Sequence, residues 1–272
     1  MKIGKHEFDT KHHCYVMGIL NVTPDSFSDG GKWKEKDAAL KHAELMIREG
    51  ADILDVGGES TRPGYTKVSD EEEIERVAPV ISSLREHFDV AISVDTYKSR
   101  VAQAALTAGA DMINDIWGLK YDKKMAEVIA QAQAACCLMH NRKEAAYKDF
   151  LPDLLSDLQE SLLLAKEAGI RPDGICLDPG VGFAKTYGQN LAVIRDLDAL
   201  QRLGYPVLLG TSRKSVIGLT LDLSADQRLS GTLATTVIGV MKGCSFVRVH
   251  DVKENKEVIA MTEAVLGDRE EI

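Results

Sequence analysis

One arrangement of residues recurs along this 272-residue chain and limits the folds that it can adopt. An amphipathic stretch ends near a glycine, a short apolar run follows, and polar residues come directly after that run. The five glycines in this position are Gly50, Gly109, Gly169, Gly204 and Gly243. Glycine after a helix provides the left-handed backbone that ends it, and strands that are apolar throughout are covered on both faces, as in parallel sheets. The repeated unit is therefore predicted to be a helix, a buried strand and a polar loop.

The apolar runs predict eight strands. They begin at Tyr15, Ile53, Ala91, Met112, Ala135, Ile175, Val207 and Phe246. Eight alternating units in a chain of this length predict one domain over residues 1–272, an α/β fold of the (β/α)8 TIM barrel type. A doubly wound open sheet is the main alternative, but no Gly-x-Gly-x-x-Gly motif opens a helix and no phosphate-loop motif occurs. Residues 1–13 precede the first strand and are predicted to close the bottom of the barrel.

Composition argues against several classes of function. Hydrophobic residues make up 44% and charged residues 28% of the chain, as in ordinary globular enzymes. The formal net charge of −9 argues against nucleic acid or an anionic membrane as a partner. The chain has no apolar run near the roughly 18 residues of a membrane helix, and its start lacks the apolar core of a signal peptide. Five cysteines without Cys-x-x-Cys or zinc-ligand spacing fit a reducing compartment, so a cytoplasmic location is expected.

Polar residues follow nearly every predicted strand. In a barrel the carboxyl ends of all strands lie on one face, so these residues are predicted to converge there. Asp95, Asn114 and Asp178 offer mainly acceptors, and Lys214 would add a donor. This pattern fits a 2-amino-4-oxo pyrimidine ring such as pterin or guanine. Alternatively, Asp95 caps a helix that begins near Ser99, and Asp178 only begins a turn.

A second group of side chains on the same predicted face suits phosphate. It consists of Asn21, Thr61, Arg62, Arg248 and His250. Arginine forks bind phosphate oxygens in bidentate fashion, and histidine adds a further donor. The side-chain oxygen of Asn21 could bind Mg²⁺, a hard ion that usually sits on substrate phosphates with few protein ligands. The group predicts a diphosphate site beside the ring pocket, unless the arginines only pair with acids such as Glu59.

The stretch from Gly18 to Gly31 changes from a buried strand to a polar segment near Val22. Its Pro, Asp, Ser and Gly residues favour turns. Phe27 is the exception, because a large apolar side chain in such a loop needs something to cover. We therefore predict that this segment closes over a bound ligand.

Four of these segments resemble the loops of the bacterial dihydropteroate synthase family. They are GILNVTPDSFSDGG at 18–31, GGESTRPG at 57–64, LDPGVGFAK at 177–185 and GTSRKS at 210–215. With RVHD at 248–251, the resemblance runs in order from the first predicted strand to the last. Four long motifs together are specific, whereas any one glycine-rich piece would not be.

The resemblance implies a folate-pathway TIM barrel enzyme that joins 6-hydroxymethyl-7,8-dihydropterin diphosphate to p-aminobenzoate and releases 7,8-dihydropteroate and diphosphate. It implies pterin contacts from Asp95, Asn114, Met139, Asp178, Gly210 and Lys214. It implies contacts to the Mg²⁺-bound diphosphate from Asn21, Thr61, Arg62, Arg248 and His250, with Asn21 as the metal ligand. It implies a p-aminobenzoate pocket, where sulfonamides compete, lined by Phe27, Thr61, Pro63, Gly182, Phe183, Lys214 and Ser215.

The resemblance also implies a homodimer and a mechanism without a protein nucleophile. The residues expected to carry the chemistry are Asp95, Asp178, Lys214, Arg62 and Arg248. In a dissociative, SN1-like substitution the arginines and Mg²⁺ stabilise charge on the leaving diphosphate. The carboxylates favour the cationic pterin methylene, and the arylamine then attacks it.

The chain departs from the family pattern at Val181, at Val216 and in the segment 140–142. These positions bear on the pocket walls and on one loop rather than on the chemistry. Two alternative functions remain open, a pterin-dependent methyltransferase that serves a corrinoid protein and a non-catalytic pterin-binding protein. The methyltransferase would not need Phe27, Arg62 or Lys214 in these contexts, and loss of the first two loops would favour the non-catalytic protein.

Overall fold

The computed structural model of the chain describes residues 1–22, 31–59 and 67–267. A short antiparallel hairpin of β1 (Lys2–Ile3) and β2 (His6–Glu7) comes first. Eight parallel strands follow within the described residues. They are β3 (Tyr15–Asn21), β4 (Ile53–Gly57), β5 (Ala91–Asp95), β6 (Met112–Asp115), β7 (Ala135–Met139), β8 (Ile175–Asp178), β9 (Leu208–Leu209) and β10 (Phe246–Val249).

Helices separate consecutive strands. They are α1 (Gly31–Arg48), α2 (Asp70–His87), α3 (Ser99–Thr107), α4 (Met125–Gln131), α5 (Phe150–Ala168), α6 (Tyr187–Arg195), α7 (Ser215–Leu221), α8 (Leu229–Met241) and α9 (Val252–Leu266). Among the described residues, three 3₁₀ helices also lie in the connections, at Pro172–Gly174, Leu197–Leu203 and Ala225–Gln227. In the part of the chain that the structure describes, no helix combines the length and the apolar character needed to span a bilayer.

The parallel strands form one sheet that closes on itself. Their order is β8-β7-β6-β5-β4-β3-β10-β9, and a parallel bridge between Leu177 and Val207 joins the two edge strands. Each of the eight predicted strands is present, although β9 is regular over only two residues. The predicted (β/α)8 barrel is therefore confirmed, and the doubly wound sheet is excluded.

The N-terminal hairpin closes the lower end of the barrel, as predicted. Ile3 and Phe8 are buried in a cluster with residues that the strands point inwards, among them Met17, Met112 and Phe246. The Phe8 and Phe246 rings meet edge to face with centroids 5.8 Å apart, a favoured aromatic geometry. Apolar burial therefore seals this end of the barrel and leaves the carboxyl ends of the strands as the face for a site.

The predicted capping glycines explain why the helices end where they do. All five have positive φ, from +77° at Gly204 and Gly243 to +112° at Gly109. This backbone region costs other residues about 1–2 kcal/mol. Glycine therefore lets each helix stop in time for the chain to enter the next buried strand.

The main core lies between the sheet and the surrounding helices. Residues such as Leu54, Ile92 and Ile113 point outwards from their strands and are fully buried there. All five cysteines are free and buried, as expected for thiols that act as small apolar side chains.

Candidate active site

Three strands end in polar side chains that are almost completely buried. Asp95 ends β5, Asn114 lies near the end of β6, and Asp178 ends β8, and their exposed fractions are only 4–6%. They lie at the carboxyl end of the barrel because the strands are parallel. The predicted convergence of these acceptors on one face is therefore observed.

Arg248 joins the two groups of residues that the sequence separated by charge. It projects from β10, and its guanidinium donates from Nη2 to Asp95 Oδ2 at 2.7 Å and from Nε to Asp55 Oδ2 at 2.6 Å. Asn114 Nδ2 also donates to Asp55 Oδ2, at 3.2 Å. The candidate phosphate-binding arginine is thus held directly against the candidate ring-binding acids.

Asp55 is a member of this site that the sequence analysis missed. Its side chain lies in β4 and has no exposed surface, and it connects Arg248 to Asn114. The sequence could have identified Asp55, because it is a single acid inside the apolar run Ile53–Gly57 and a buried charge needs a partner.

Two buried carboxylate oxygens have no hydrogen-bond donor among the described residues. They are Oδ1 of Asp55 and Oδ1 of Asp95. Leaving such an acceptor unsatisfied costs about 1–3 kcal/mol, and an exception of this kind calls for an explanation. Burial raises the pKa of Asp95, and the Arg248 guanidinium opposes that rise. The site therefore offers acceptors to a ligand that carries N–H groups.

Asp178 and Lys214 both lie close to Gly210 at the carboxyl end of the barrel. Asp178 Oδ1 accepts a hydrogen bond from the Gly180 backbone at 2.6 Å, so this residue both starts a turn and lines the site. Lys214 Nζ donates to the Val181 carbonyl at 2.6 Å. Burial lowers the pKa of Lys214 to about 8, and Asp178 opposes that change.

Gly210 keeps the space between these two groups open. A Cβ at this position would lie 3.5 Å from Asp178 Oδ2 and 3.7 Å from Lys214 Nζ. These are ordinary van der Waals distances, so glycine is not needed for the fold here. Its lack of a side chain instead leaves room for a ligand against the strand end.

An apolar cluster, called the apolar wall below, accompanies these polar residues. Tyr97, Ile116 and Met139 form a buried cluster, and the partly buried Trp117 and Phe183 pack against it. Met139 and Phe183 were predicted site residues, whereas the other three were not. The sequence position of Tyr97, Ile116 and Trp117 could have identified them, since each follows a polar strand end by one to three residues. A flat ring could stack against this wall while its edge meets the acids.

The remaining predicted residues lie at the same end of the barrel where they are described. Asn21 Oδ1 is 3.3 Å from the position that a Cβ would take on Gly57, which lies between Asn21 and Asp95 in the sheet. His250 Nδ1 is 3.0 Å from Ser212 Oγ, and Ser215 is the exposed first residue of α7. Four predicted residues, Phe27, Thr61, Arg62 and Pro63, lie outside the described residues.

The helix-cap alternative for Asp95 is wrong. Helix α3 begins at Ser99 without a side-chain cap from the residue before it, and the Ser99 N–H donates to Asp122 Oδ2 at 2.9 Å. Asp95 pairs with Arg248 instead. The strong attraction between buried opposite charges accounts for the preference.

Glu59 belongs to a second buried ionic cluster. Lys98 Nζ donates to Glu59 Oε2 at 2.7 Å, to Glu73 Oε2 at 2.7 Å and to the Val68 carbonyl at 2.8 Å. The Tyr97 hydroxyl donates to Glu59 Oε1 at 2.6 Å, and the Val68 N–H donates to Glu59 Oε2 at 3.0 Å. These contacts hold together Glu59 and Val68, which flank the segment 60–66. That segment carries the predicted Thr61 and Arg62.

The same sequence features are found in known proteins. The sequence profile of the pterin binding enzyme family matches residues 17–250. The dihydropteroate synthase of Clostridium beijerinckii is 57% identical over 267 residues, which cover 98% of this chain and 99% of the relative. That similarity extends over the barrel from end to end.

Solved structures agree with this relationship. A dihydropteroate synthase of Clostridium difficile, crystallised in the presence of pteroic acid, shares 51% identity and a TM-score of 0.93 over 95% of this chain and 99% of its own. A complex of the Yersinia pestis dihydropteroate synthase with a sulfonamide drug shares 40% identity and a TM-score of 0.92 over 98% of both chains. The chain belongs to the dihydropteroate synthase family of pterin binding enzymes.

Proposed function

We propose that this chain is a dihydropteroate synthase. It condenses 6-hydroxymethyl-7,8-dihydropterin diphosphate with p-aminobenzoate to give 7,8-dihydropteroate and diphosphate. The observation that carries the proposal is the buried acceptor group of Asp95, Asn114 and Asp178, which lies close to Lys214 at one end of the barrel. Family membership supplies the reaction, and this pocket supplies a site with the matching hydrogen-bond pattern.

The pterin ring is held by its edge and covered on its face. Asp178 accepts from adjacent ring N–H groups, Asn114 completes the edge, and Lys214 donates to the ring carbonyl. Gly210 leaves the room that the ring requires. Met139, fully enclosed in the apolar wall, contacts the ring face. The free acceptor on Asp95 is available to a further ring N–H.

The charges in the site favour a dissociative substitution. Three carboxylates, those of Asp55, Asp95 and Asp178, surround two cations, Arg248 and Lys214. The Asp95 and Asp178 carboxylates stabilise the cationic pterin methylene that forms when the C–O bond to diphosphate breaks. The amine of p-aminobenzoate then attacks this carbon, so the protein provides positioning rather than a nucleophile.

The diphosphate lies beside the ring, against Arg248, His250 and Asn21. We assign Thr61 and Arg62 to the same group because they lie in the family motif at 57–64. Within residues 1–22, 31–59 and 67–267, no three His, Cys, Asp or Glu side chains could hold a metal ion together. That fits Mg²⁺, which is commonly held by substrate phosphates and one protein oxygen, here Asn21 Oδ1. When bound there, the ion neutralises charge on the leaving group.

The p-aminobenzoate lies on the outer side of the pterin. Phe183, Gly182, Lys214 and Ser215 line this part of the pocket, with Phe27, Thr61 and Pro63 closing it. The aromatic ring of Phe183 and the charge of Lys214, 4.9 Å from the ring centroid, suit an arene with a carboxylate. Sulfonamides share this shape and compete for the same place, as the complex of the Yersinia pestis relative suggests.

The protein acts in the cytoplasm as a homodimer. Helices α7, α8 and α9 pack against one another and expose large apolar side chains. They are Leu219, Leu221, Ile238, Met241, Met261 and Val265. Large apolar side chains that are exposed on neighbouring helices are typical of a subunit interface.

The function is tested by incubating the protein with the pterin diphosphate, p-aminobenzoate and Mg²⁺ and detecting 7,8-dihydropteroate by mass spectrometry. Product should form only when both substrates are present. Pterin binding without product would support the non-catalytic protein. Methyl transfer from methyltetrahydrofolate to a corrinoid protein, without synthase activity, would support the methyltransferase.

We expect pterin affinity to weaken as the pH rises through about 8, because the Lys214 ammonium then loses its proton. A charged donor makes the stronger hydrogen bond to the ring carbonyl. Calorimetric titration with 6-hydroxymethyl-7,8-dihydropterin between about pH 6.5 and 9 measures this dependence. The Lys214→Arg variant keeps its charge, so its Kd should lack the weakening above about pH 8 that the wild type shows. A wild-type Kd that stays constant to pH 9 contradicts the assigned role.

Gly210→Ala is expected to lower pterin affinity by about 10- to 100-fold. The added methyl group would contact Asp178 and Lys214 at van der Waals distance, so the fold accepts it while the ring loses space, at a typical overpacking cost of about 1–3 kcal/mol. The control is Gly188→Ala in α6, where a Cβ meets no atom within 4 Å. Equal pterin affinity in the two variants would contradict this placement of the ring.

A further inference from the structure

The segment after β8 turns back around a single buried lysine. Gly180, Gly182 and Ala184 have positive φ of +71°, +87° and +42°, alternating with residues of ordinary backbone. The carbonyls of Gly180 and Phe183 therefore converge on Lys185 Nζ, at 2.9 and 3.1 Å. A left-handed alanine is unfavourable for an L-residue, so neighbouring contacts must hold this shape.

The third donor of the Lys185 ammonium is directed at His140. The distance from Lys185 Nζ to His140 Nδ1 is 2.9 Å, and His140 Nε2 lies 2.9 Å from Asp157 Oδ2. Burial and the adjacent ammonium lower the pKa of His140 to about 3, so the imidazole is neutral. Its Nδ1 accepts from Lys185 and its Nε2 donates to Asp157. Burial lowers the pKa of Lys185 to about 7, and Asp178 opposes that shift. In its charged form the side chain has three donors, and all three have fixed acceptors.

Asp157 is itself fixed by a second cation. Arg142 Nε donates to Asp157 Oδ2 at 2.6 Å, and the Arg142 guanidinium stacks on Tyr147 at 4.3 Å from the ring centroid. The Tyr147 hydroxyl donates to the Ala184 carbonyl at 2.9 Å. The residues at 140–142, where the chain departs from the family pattern, thus belong to a hydrogen-bond network that starts at Lys185 and returns to Ala184 in the segment after β8.

The segment carries two groups that face the outer part of the pocket. The Val181 carbonyl accepts from Lys214 Nζ at 2.6 Å, and the Phe183 ring lies below the same ammonium. A Cβ on Gly182 would be 3.4 Å from Lys214 Cδ. The shape of the segment therefore sets where the Phe183 ring stands, whereas Lys214 is placed by the turn before α7, where its N–H donates to the Thr211 carbonyl at 3.0 Å. By contrast, Asp95 and Asn114 are placed by their own strands.

We propose that Lys185, oriented by His140 and Asp157, is a positioning residue that shapes the p-aminobenzoate part of the pocket. It contacts neither substrate and acts through the carbonyls of Gly180 and Phe183. The proposal rests on the proposed function for its choice of substrate. Its structural content, that Lys185 holds the segment 180–184 in shape, is independent of any activity.

The test compares Lys185→Met, which keeps the side-chain length and removes all three donors, with wild type. We expect the KM for p-aminobenzoate to rise by about tenfold or more. The loss of one hydrogen bond from a charged donor, about 1.5 kcal/mol or more, corresponds to a change of this size. The Kd for 6-hydroxymethyl-7,8-dihydropterin should stay within about threefold, and so should kcat at saturating p-aminobenzoate. Lys185→Arg, which keeps the charge and its donors, should recover part of the loss. Lys242→Met removes a lysine that pairs at the surface with Asp198 and is the control.

Hydrogen–deuterium exchange without substrates separates this proposal from the assigned reaction. Faster exchange of the amides at 182–184 in Lys185→Met supports the positioning role even if wild type makes no dihydropteroate. Unchanged exchange together with an unchanged KM overturns it, and so does an equal loss of pterin affinity. If Lys185→Met does not fold, His140→Leu removes one of the three partners and must give the same pattern at smaller amplitude.

Discussion

Replacing Asp178 by asparagine is expected to lower kcat/KM for the pterin diphosphate by about 10²- to 10⁴-fold. The asparagine oxygen can still accept from the Gly180 N–H, as Asp178 Oδ1 does, so the turn is kept. The second oxygen becomes an amide donor that faces ring N–H groups. Loss of one or two hydrogen bonds to a charged acceptor, each about 1.5–3 kcal/mol, accounts for this range. Steady-state kinetics at saturating p-aminobenzoate measure the effect.

Asp52→Asn is the matched control for this substitution. Asp52 lies at the opposite end of the barrel, where its Oδ2 accepts from the Val16 N–H at 2.8 Å. The same chemical change there should leave kcat/KM within about twofold and affect only stability. If Asp178→Asn retains wild-type kcat/KM, Asp178 does not hold the pterin ring.

Lys98→Met is expected to lower the free energy of unfolding by about 3–5 kcal/mol, because it leaves two buried carboxylates without their cation. The side chains of Lys98, Glu59 and Glu73 are only 9%, 2% and 1% exposed. Urea unfolding at neutral pH measures the loss. Activity should fall too, since Lys98 ties Val68 to Glu59 across the segment 60–66.

Two comparisons make this stability prediction specific. Arg100→Met removes a cation two residues further along, in the first turn of α3. Arg100 is 63% exposed and pairs with Glu71, so its loss should cost no more than about 1 kcal/mol. Burial raises the pKa of Glu73, whereas Lys98 lowers it, so that pKa should rise further in the variant. An acid whose pKa is higher in the folded state destabilises that state as the pH rises. The deficit of Lys98→Met should therefore shrink on acidification from neutral pH, and a constant deficit would count against this cause.

The sequence was sufficient to predict the barrel because its signals are local. Glycine caps and apolar runs depend on neighbouring residues, and they identified all eight strands and the closed lower end. The apolar run that begins at Ala91 marked the strand end Asp95, and the family motif at 177–185 marked the strand end Asp178. The parallel direction of the strands then brought these residues to one face without any knowledge of distances.

What the sequence could not predict depends on contacts between distant residues. Arg248 meets Asp55 across 193 positions and Asp95 across 153, so its ion pairs have no local signature. The same holds for Lys98 with Glu59 and for Lys185 with His140. In each case a buried charge selects its partner through three-dimensional packing. Residue type and strand position alone could not identify these pairs.

A crystal structure of the protein with bound 6-hydroxymethyl-7,8-dihydropterin tests the central claim most directly. The account predicts that the amino edge of the ring meets Asp178 and Asn114 and that the ring carbonyl meets Lys214 Nζ, at donor–acceptor distances of about 2.7–3.2 Å. The hydroxymethyl carbon should point towards Arg248. A pterin bound at another place, or bound here with that carbon directed away from Arg248, would contradict the account.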